Sequence, residues 1–165
     1  MVKLKDQYEV IRDTREQTGW MFDAEEYSSA ICIGTRIDTL KTGDYTLVGY
    51  ENVLCIERKG TVAEFAGNLW DKAFDRELER MLAFDARYIV CEFTFEDIIR
   101  FPAGSNIPHN KRHLLRITPQ FLVMRVNEIM LKQKVPVVFA GTKGKEFTSS
   151  LFKRVIENVP KRSAV

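Results

Sequence analysis

The sequence predicts an α/β domain with a central mixed β-sheet that contains a hairpin and is flanked by α-helices. Strand-like segments come first along the chain, and helix and strand then alternate, which is typical of parallel strands joined by helical crossovers. The chain has 165 residues, of which 45% are hydrophobic and 29% charged, so one domain with a sizeable core is expected. This composition excludes collagen, a disulfide scaffold and an intrinsically disordered chain.

The first sixty residues contain four strand-like segments. Residues 7–12 and 30–40 are rich in apolar and β-branched residues, and each is followed by a polar cluster. Residues 45–48 and 53–57 flank the four-residue polar turn Gly-Tyr-Glu-Asn. Two β-rich segments around such a turn predict a hairpin.

Helices and strands are predicted to alternate in the rest of the chain. Thr118 and Pro119 are a favourable N-cap and first residue for one of these helices. The apolar positions of that helix are expected to be buried, namely Leu122, Val126, Ile129 and Met130. After the hairpin, the predicted elements in chain order are helix 64–82, strand 88–93, a basic loop over 101–113, helix 119–134, strand 135–140 and helix 146–158.

The cysteines and the N-terminus favour an intracellular protein. Cys32, Cys55 and Cys91 are odd in number and lie among apolar neighbours, so we expect reduced core residues. The N-terminus lacks the apolar stretch of a secretory signal, and no apolar run approaches the length of a transmembrane helix. We therefore expect a cytoplasmic protein without a membrane partner, in the host cytoplasm if a virus encodes it.

The charged residues are unevenly distributed, although the net charge is only +2. Residues 1–101 carry 13 Lys and Arg against 20 Asp and Glu, whereas residues 102–165 carry 12 against 3. An acidic part that collects divalent metal and a basic part that holds a polyanion suit a protein acting on nucleic acid. Solvated faces that differ in sign explain the distribution equally well, so charge alone leaves both interpretations open.

Asp44, Glu57 and Lys59 are the residues whose pattern points most directly to chemistry. Side chains alternate along a strand, so Glu57 and Lys59 share one face, and hairpin pairing brings Asp44 towards Glu57. Two carboxylates hold Mg²⁺ or Mn²⁺ through hard oxygen ligands and leave positions for water and phosphate. The metal activates water and the lysine stabilises charge on the phosphate. As a bare pattern this spacing is also compatible with a surface salt bridge.

Three motifs that follow one another along the chain are more specific than the Asp44, Glu57 and Lys59 pattern alone. Asp13-Thr14-Arg15-Glu16, Gly43-Asp44-Tyr45 and Glu57-Arg58-Lys59 are spaced along the chain and together resemble the XPF-type structure-specific nuclease domain. The resemblance covers about residues 6–158 and implies a restriction-endonuclease-like fold. It predicts a single nuclease domain over residues 1–165, without the helix-hairpin-helix module that often follows this domain.

The resemblance also implies roles for the acidic residues and the lysine. Asp44 and Glu57 correspond to metal ligands, with Asp13 as a further ligand. Asp13 and Glu16 would lie beside the metal centre as an acidic wall. Lys59 would face the attacking water and the phosphate.

Several basic residues are predicted to contact DNA. By the resemblance, Arg15 and Arg58 would either contact phosphate or fix the neighbouring carboxylates in place. Glu64 replaces the last Asp of the family pattern after one extra residue, so it is either part of the site or a helix cap. From their basic loop settings, we also expect DNA contacts from Lys111, Arg112, Lys143 and Lys145.

These observations predict a Mg²⁺- or Mn²⁺-dependent DNA endonuclease in repair, recombination or viral DNA processing. Branched or forked DNA is one candidate substrate, and flap and plain duplex DNA stay open beside it. A homodimer through the C-terminal helices is a further expectation from the family. The alternative is a catalytically silent DNA-binding or scaffolding module of the same fold. An unrelated α/β domain whose motifs are accidental is the third possibility, and a structure with Asp44 far from Glu57 would favour it.

Overall fold

The computed structural model describes residues 6–26 and 30–162 and confirms the predicted fold class. One mixed sheet lies between helices on its two faces. Its strands are β1 (Asp6–Asp13), β2 (Glu25–Glu26), β3 (Ala30–Asp38), β4 (Tyr45–Leu47), β5 (Leu54–Lys59), β6 (Ala86–Cys91) and β7 (Val137–Phe139). The helices are α1 (Val62–Trp70), α2 (Lys72–Met81), α3 (Phe95–Arg100), α4 (Pro119–Glu128) and α5 (Gly144–Asn158).

The strand order determines where a site can form. The order is β2-β3-β1-β4-β5-β6-β7, and β4 is antiparallel to both β1 and β5. The pairs β1–β3, β5–β6 and β6–β7 are parallel. The last residues of the parallel strands therefore lie at one edge of the sheet, together with the first residues of β4. We call this the carboxyl edge, and Asp13, Asp44, Lys59, Glu92 and Gly141 lie along it.

The two faces of the sheet bury separate hydrophobic clusters. Cys55 belongs to a cluster formed with α1, α2 and α4, whereas Leu54 and Ile56 belong to a cluster formed with α5. Because side chains alternate along β5, Glu57 and Lys59 point to the first face and Arg58 to the second. All three cysteines are buried free thiols, as predicted.

The predicted helix over residues 64–82 is in fact two helices separated at Asp71. The backbone of Asp71 is extended (φ −91°, ψ 126°), and its side chain accepts a hydrogen bond from the Ala73 backbone N–H (2.8 Å). Asp71 is therefore the N-cap of α2, which ends α1 and allows the chain to change direction. The apolar spacing was close enough to helical in both halves to conceal this break.

The second half of the chain differs from the prediction in two places. Helix α3 lies between the predicted strand 88–93 and the predicted loop 101–113, where no element was predicted, and it begins with a capping box between Thr94 and Asp97. Thr118 caps α4 as predicted, but Met130 is 40% exposed instead of buried. The chain forms a π-helical turn over Ile129–Gln133, which shifts the helical phase and turns Met130 outward. No helix in the described ranges is long and apolar enough to span a bilayer.

Gly67 offers a test of helix α1. This residue is exposed in the middle of the helix, and a Cβ atom there would meet no heavy atom within 4 Å. Gly67→Ala should raise the free energy of unfolding by about 0.5–1 kcal/mol, because alanine loses less backbone entropy on folding. Urea unfolding followed by circular dichroism measures the change. An unchanged or lower free energy of unfolding would contradict this account of α1.

Candidate active site

An acidic cleft of about 480 Å³ opens at the carboxyl edge of the sheet. It combines residues from β1, β5, α1, α2, the loop after β1 and the turn just before β4. Two arginines, Arg15 and Arg58, lie in its wall. Six carboxylates line it, namely Asp13, Glu16, Asp44, Glu57, Glu64 and Glu77. The cleft therefore gathers the three sequence motifs into one place.

Asp44 is fixed by hydrogen bonds to both neighbouring strands. Its carbonyl accepts from the Asp13 N–H, and its own N–H donates to the Ile56 carbonyl, both at 2.8 Å. Asp44 Oδ2 accepts from the Arg58 backbone N–H at 2.7 Å. Gly43 precedes it with φ +80°, and a Cβ there would lie 2.6 Å from Cys55 Sγ. Only glycine fits this turn, which places the Asp44 carboxylate beside the end of β5.

Glu57 and Lys59 form a buried ion pair next to Asp44. Lys59 Nζ donates to Glu57 Oε1 at 2.8 Å, and the two residues are 4% and 5% exposed. The ammonium group also lies 4.8 Å from the centre of the Phe74 ring. Lys59 is not among the residues that line the cleft. Lys59 therefore contacts Glu57 directly. It lies deeper in the protein than predicted, since the predicted position faced the attacking water and the phosphate.

Burial and mutual repulsion disfavour the ionised forms of the Asp44 and Glu57 carboxyl groups. Burial is the main cause that raises the pKa of Asp44 to about 7, and the charge of Glu16 adds to it. Burial likewise raises the pKa of Glu57 to about 8, with repulsion from Asp44 as the second cause. Lys59 acts in the opposite direction on both. A bound cation would relieve this repulsion.

Asp13 lies in the same cleft, but its carboxylate oxygens are already occupied. Oδ1 accepts from the backbone N–H and the guanidinium of Arg15, and Oδ2 accepts from the Leu40 N–H and Arg15. Burial acts to raise the pKa of Asp13, but these hydrogen bonds outweigh it and lower the pKa. Asp13 therefore fixes Arg15 at the cleft mouth, and we leave it out of the metal ligands proposed below. The Arg15 side chain remains 69% exposed.

Arg58 projects to the opposite face of β5 from Glu57. Its guanidinium pairs with Glu16 (3.3 Å) and with Glu92 (2.5 Å), and its side chain is 11% exposed. Of the two roles predicted for Arg58, the geometry matches that of fixing carboxylates. The guanidinium is largely enclosed and differs in this respect from the exposed Arg15.

Three acidic residues illustrate what the sequence left open or missed. Thr61 is the N-cap of α1, and Glu64 lies in the first turn, where its carboxylate accepts from the Gly60 N–H (3.1 Å) and also lines the cleft. Glu77 reaches the cleft from α2, and its charge acts on both Asp44 and Glu57. It lies outside every motif, and only the position of α2 brings it here. Glu92 directly follows β6, and its place beside a buried arginine was equally hidden.

The predicted DNA contacts fall in two separate places. Lys143 and Lys145 lie where α5 begins, at the carboxyl edge beyond β7. Lys111 and Arg112 lie in a 3-10 helical turn over His109–Leu114. Arg112 donates to backbone carbonyls of its own loop, and neither residue of this turn lines the cleft.

Asp44 and Glu57 are suited to hold a divalent cation. One oxygen of each carboxylate receives no hydrogen bond from the described residues, while the other is used by Arg58 or Lys59. Within residues 6–26 and 30–162, no three His, Cys, Asp or Glu side chains are grouped as a metal site. The fit is therefore to a pair of carboxylates, with the other coordination positions left for water and phosphate oxygens.

Comparison with known proteins identifies the fold. No protein-family model matches the sequence, and no curated protein matches it significantly. XPF from Aeropyrum pernix matches with a TM-score of 0.58 and 17% identity over 92% of this chain and 66% of its own. XPF from Aeropyrum pernix in complex with DNA matches with a TM-score of 0.57 and 16% identity over 95% and 68%.

The chain thus has the fold of an XPF-type nuclease domain, as its motifs predicted. It spans about two thirds of the length of those two structures. At such low sequence identity the likeness concerns the fold. The single domain over 1–165 stays a prediction.

The raised pKa values of Asp44 and Glu57 predict how stability depends on pH without metal. The folded state holds protons that the unfolded chain loses near its ordinary pKa values of 3.8 and 4.5. This contribution is full below those values and is lost as pH rises towards about 7 and 8. The free energy of unfolding in EDTA should therefore fall between about pH 5 and pH 8 more steeply in wild type than in Asp44→Asn. Urea titrations at both pH values measure it, and equal slopes would contradict the prediction.

Proposed function

We propose that the protein is a Mg²⁺- or Mn²⁺-dependent DNA endonuclease that hydrolyses phosphodiester bonds at this cleft. The observation that carries the proposal is the convergence of Asp44, Glu57 and Lys59 at the carboxyl edge. One oxygen of each carboxylate receives no hydrogen bond from residues 6–26 and 30–162. The shared fold with an XPF that was determined in complex with DNA supports DNA as the substrate. Branched or forked DNA, and a role in repair, recombination or viral DNA processing, belong to the same proposal.

Four side chains in and beside the cleft would contribute to hydrolysis. Asp44 and Glu57 would hold the cation, which when bound supplies polarisation of the phosphate and a lower pKa for bound water. Lys59 keeps the Glu57 carboxylate oriented through its 2.8 Å hydrogen bond and offsets its charge. Arg15 presents an exposed guanidinium at the cleft mouth, where it would bind a phosphate oxygen. Water adds to phosphorus and gives up one proton, the P–O ester bond breaks, and the departing ester oxygen takes up a proton to leave as a hydroxyl.

Lys143 and Lys145 extend the proposed DNA path beyond the cleft. Both lie at the start of α5, on the same sheet edge as the acidic residues. Backbone N–H groups and positive charge at a helix start favour phosphate. Lys111 and Arg112 remain predicted contacts that would lengthen this path if the duplex reaches their turn.

Two alternatives are weighed against the endonuclease. The close approach of Asp44 to Glu57 counts against an unrelated domain with accidental motifs. A silent DNA-binding or scaffolding module would have no need to keep two repelling carboxylates buried beside a lysine. Uptake of Mn²⁺ separates the silent module from the enzyme, because the silent module should bind no ion here.

Formation of a homodimer stays a prediction. Helix α5 uses Phe152 and Val155 in its own hydrophobic cluster and leaves Phe147 37% exposed. The predicted homodimer through the C-terminal helices would therefore use the outward side of α5.

Asp44→Asn is the sharpest test of the proposed function. The asparagine retains an acceptor for the Arg58 N–H but loses the negative charge that the cation requires. Cleavage of fork, flap, junction, duplex and single-stranded DNA with Mn²⁺ or Mg²⁺ should fall by at least about 10²-fold. Mn²⁺ binding, measured by calorimetry, should weaken in parallel.

Asp71→Asn is the matched control for this test. Asp71 is exposed and caps α2, and asparagine caps a helix equally well. This variant should cut DNA and bind Mn²⁺ as wild type does. If Asp44→Asn cuts at the wild-type rate, the proposed function is wrong.

The lysines at the start of α5 should contribute to DNA affinity through the phosphate backbone. Lys143→Ala and Lys145→Ala should each weaken binding to all DNA forms and reduce the salt slope of log K by about one unit. Lys132→Ala is the control, because Lys132 is exposed but precedes β7 at the opposite edge of the sheet. Fluorescence anisotropy in Ca²⁺ over a salt series measures both quantities. Equal salt slopes in all variants would remove these lysines from the DNA path.

A further inference from the structure

We propose that Glu92 is a positioning residue that holds one wall of the cleft through Arg58. The wall is the rim loop, residues 14–20, which follows β1 and carries Glu16 into the cleft. Glu92 lies behind this loop and does not line the cleft. The effect on catalysis rests on the proposed function, whereas the effect on the loop does not.

Glu92 joins three parts of the chain through its two carboxylate oxygens. Oε1 accepts from the indole N–H of Trp20, the last residue of the rim loop. Oε2 accepts from the Arg58 guanidinium at 2.5 Å. Arg58 then donates to Glu16 Oε1 at 3.3 Å, within the rim loop itself. Both ends of the loop are thus tied to one carboxylate at the end of β6.

The aromatic ring of Trp20 completes the enclosure of this ion pair. The Arg58 guanidinium lies 5.5 Å from the centre of the Trp20 ring. Trp20 is 8% exposed, and a Cβ at Gly144 would lie 2.7 Å from its ring. The start of α5 therefore packs directly on Trp20 and leaves no room for the indole to move away. Arg58, in turn, is held where its charge faces two carboxylates.

The backbone of the rim loop is tied down by separate contacts. Arg12 donates to the carbonyl oxygens of Glu16 and Gly19. The Tyr45 hydroxyl accepts from the Trp20 backbone N–H at 2.5 Å. These bonds hold the loop through its backbone at Glu16, Gly19 and Trp20. Glu92 adds side-chain ties to the same loop, directly from Trp20 and through Arg58 from Glu16.

The charges explain why Glu92 matters beyond packing. Without Glu92, the Arg58 guanidinium would pair with Glu16 alone. Its Nε atom already has no hydrogen-bond partner in the part of the chain that the structure describes. A largely buried guanidinium that loses one partner moves towards the remaining carboxylate or towards water. Either movement displaces Glu16, which lies in the cleft wall beside Asp44. Misplacement of a positioning group by about 1 Å lowers turnover by about 10²-fold.

Glu92→Gln tests the proposal with the least change in shape. Both carboxylate oxygens of Glu92 accept hydrogen bonds. In glutamine one of them is replaced by an NH₂ group, which cannot accept the hydrogen bond from Trp20 or from Arg58. Amide hydrogen exchange of residues 14–20 should accelerate about tenfold or more, as for loss of one hydrogen bond to a charged group. On the proposed substrate, kcat should fall by about 10²-fold, whereas KM and Mn²⁺ affinity should stay within about twofold of wild type. Circular dichroism establishes that the variant is folded.

Two further variants make the result specific. Glu96→Gln makes the same chemical change at an exposed residue four positions away and should leave all readouts unchanged. Trp20→Phe keeps a ring over Arg58 but removes the indole N–H, so it should give a smaller acceleration of exchange than Glu92→Gln. Glu92→Asp keeps both acceptor oxygens and should restore part of the lost turnover.

Three outcomes would overturn the proposal. The first is exchange of the rim loop in Glu92→Gln equal to that in Glu96→Gln. The second is faster exchange with unchanged kcat, since Glu92 would then be merely structural. The third is a fall in kcat without faster exchange, since Glu92 would then act by another route. If wild type cuts no DNA with any divalent metal, the proposed function fails, and hydrogen exchange alone then decides whether Glu92 holds the rim loop.

Discussion

The hydrogen bonds around Asp44 are the constraint on which the site depends. Its N–H and carbonyl extend the pairing of β4 with β5 and β1, and its carboxylate receives the Arg58 N–H. Carboxylates from two strands are thereby brought together although burial and repulsion raise the pKa values of both. Strand pairing supplies the stabilisation that keeps these charges close, because the backbone hydrogen bonds form whatever the protonation of the side chains.

Three cations divide the task of balancing this negative charge. Lys59 forms an ion pair with Glu57 on one face of β5, and Arg58 forms ion pairs with Glu16 and Glu92 on the other. Arg15 forms an ion pair with Asp13, and its side chain remains exposed to solvent. The alternation of side chains along β5 thus places the Lys59–Glu57 ion pair on one face of the sheet and the ion pairs of Arg58 on the other. Asp44, like Glu64 and Glu77, forms no ion pair with a cationic side chain among the described residues, and its second carboxylate oxygen is open to a metal ion.

Much of this arrangement was readable from the sequence, and the remainder depended on tertiary structure. The hairpin, the Asp44–Glu57 proximity and the Thr118 cap follow from local patterns that act over a few residues. The break at Asp71 was hidden because apolar spacing is preserved across it, and the exposure of Met130 because a π-helical turn leaves no mark in composition. Glu77 and Glu92 enter the site only through helix placement and strand order, which no short motif encodes.

The two outer strands of the sheet have a consequence for association between chains. Strand β7 has three residues and β2 has two, both of them exposed glutamates. Unpaired N–H and C=O groups at a sheet border otherwise attract further strands and lead to aggregation. The short length of β2 and β7 and the two negative charges of β2 leave a further chain little strand to pair with at these two positions.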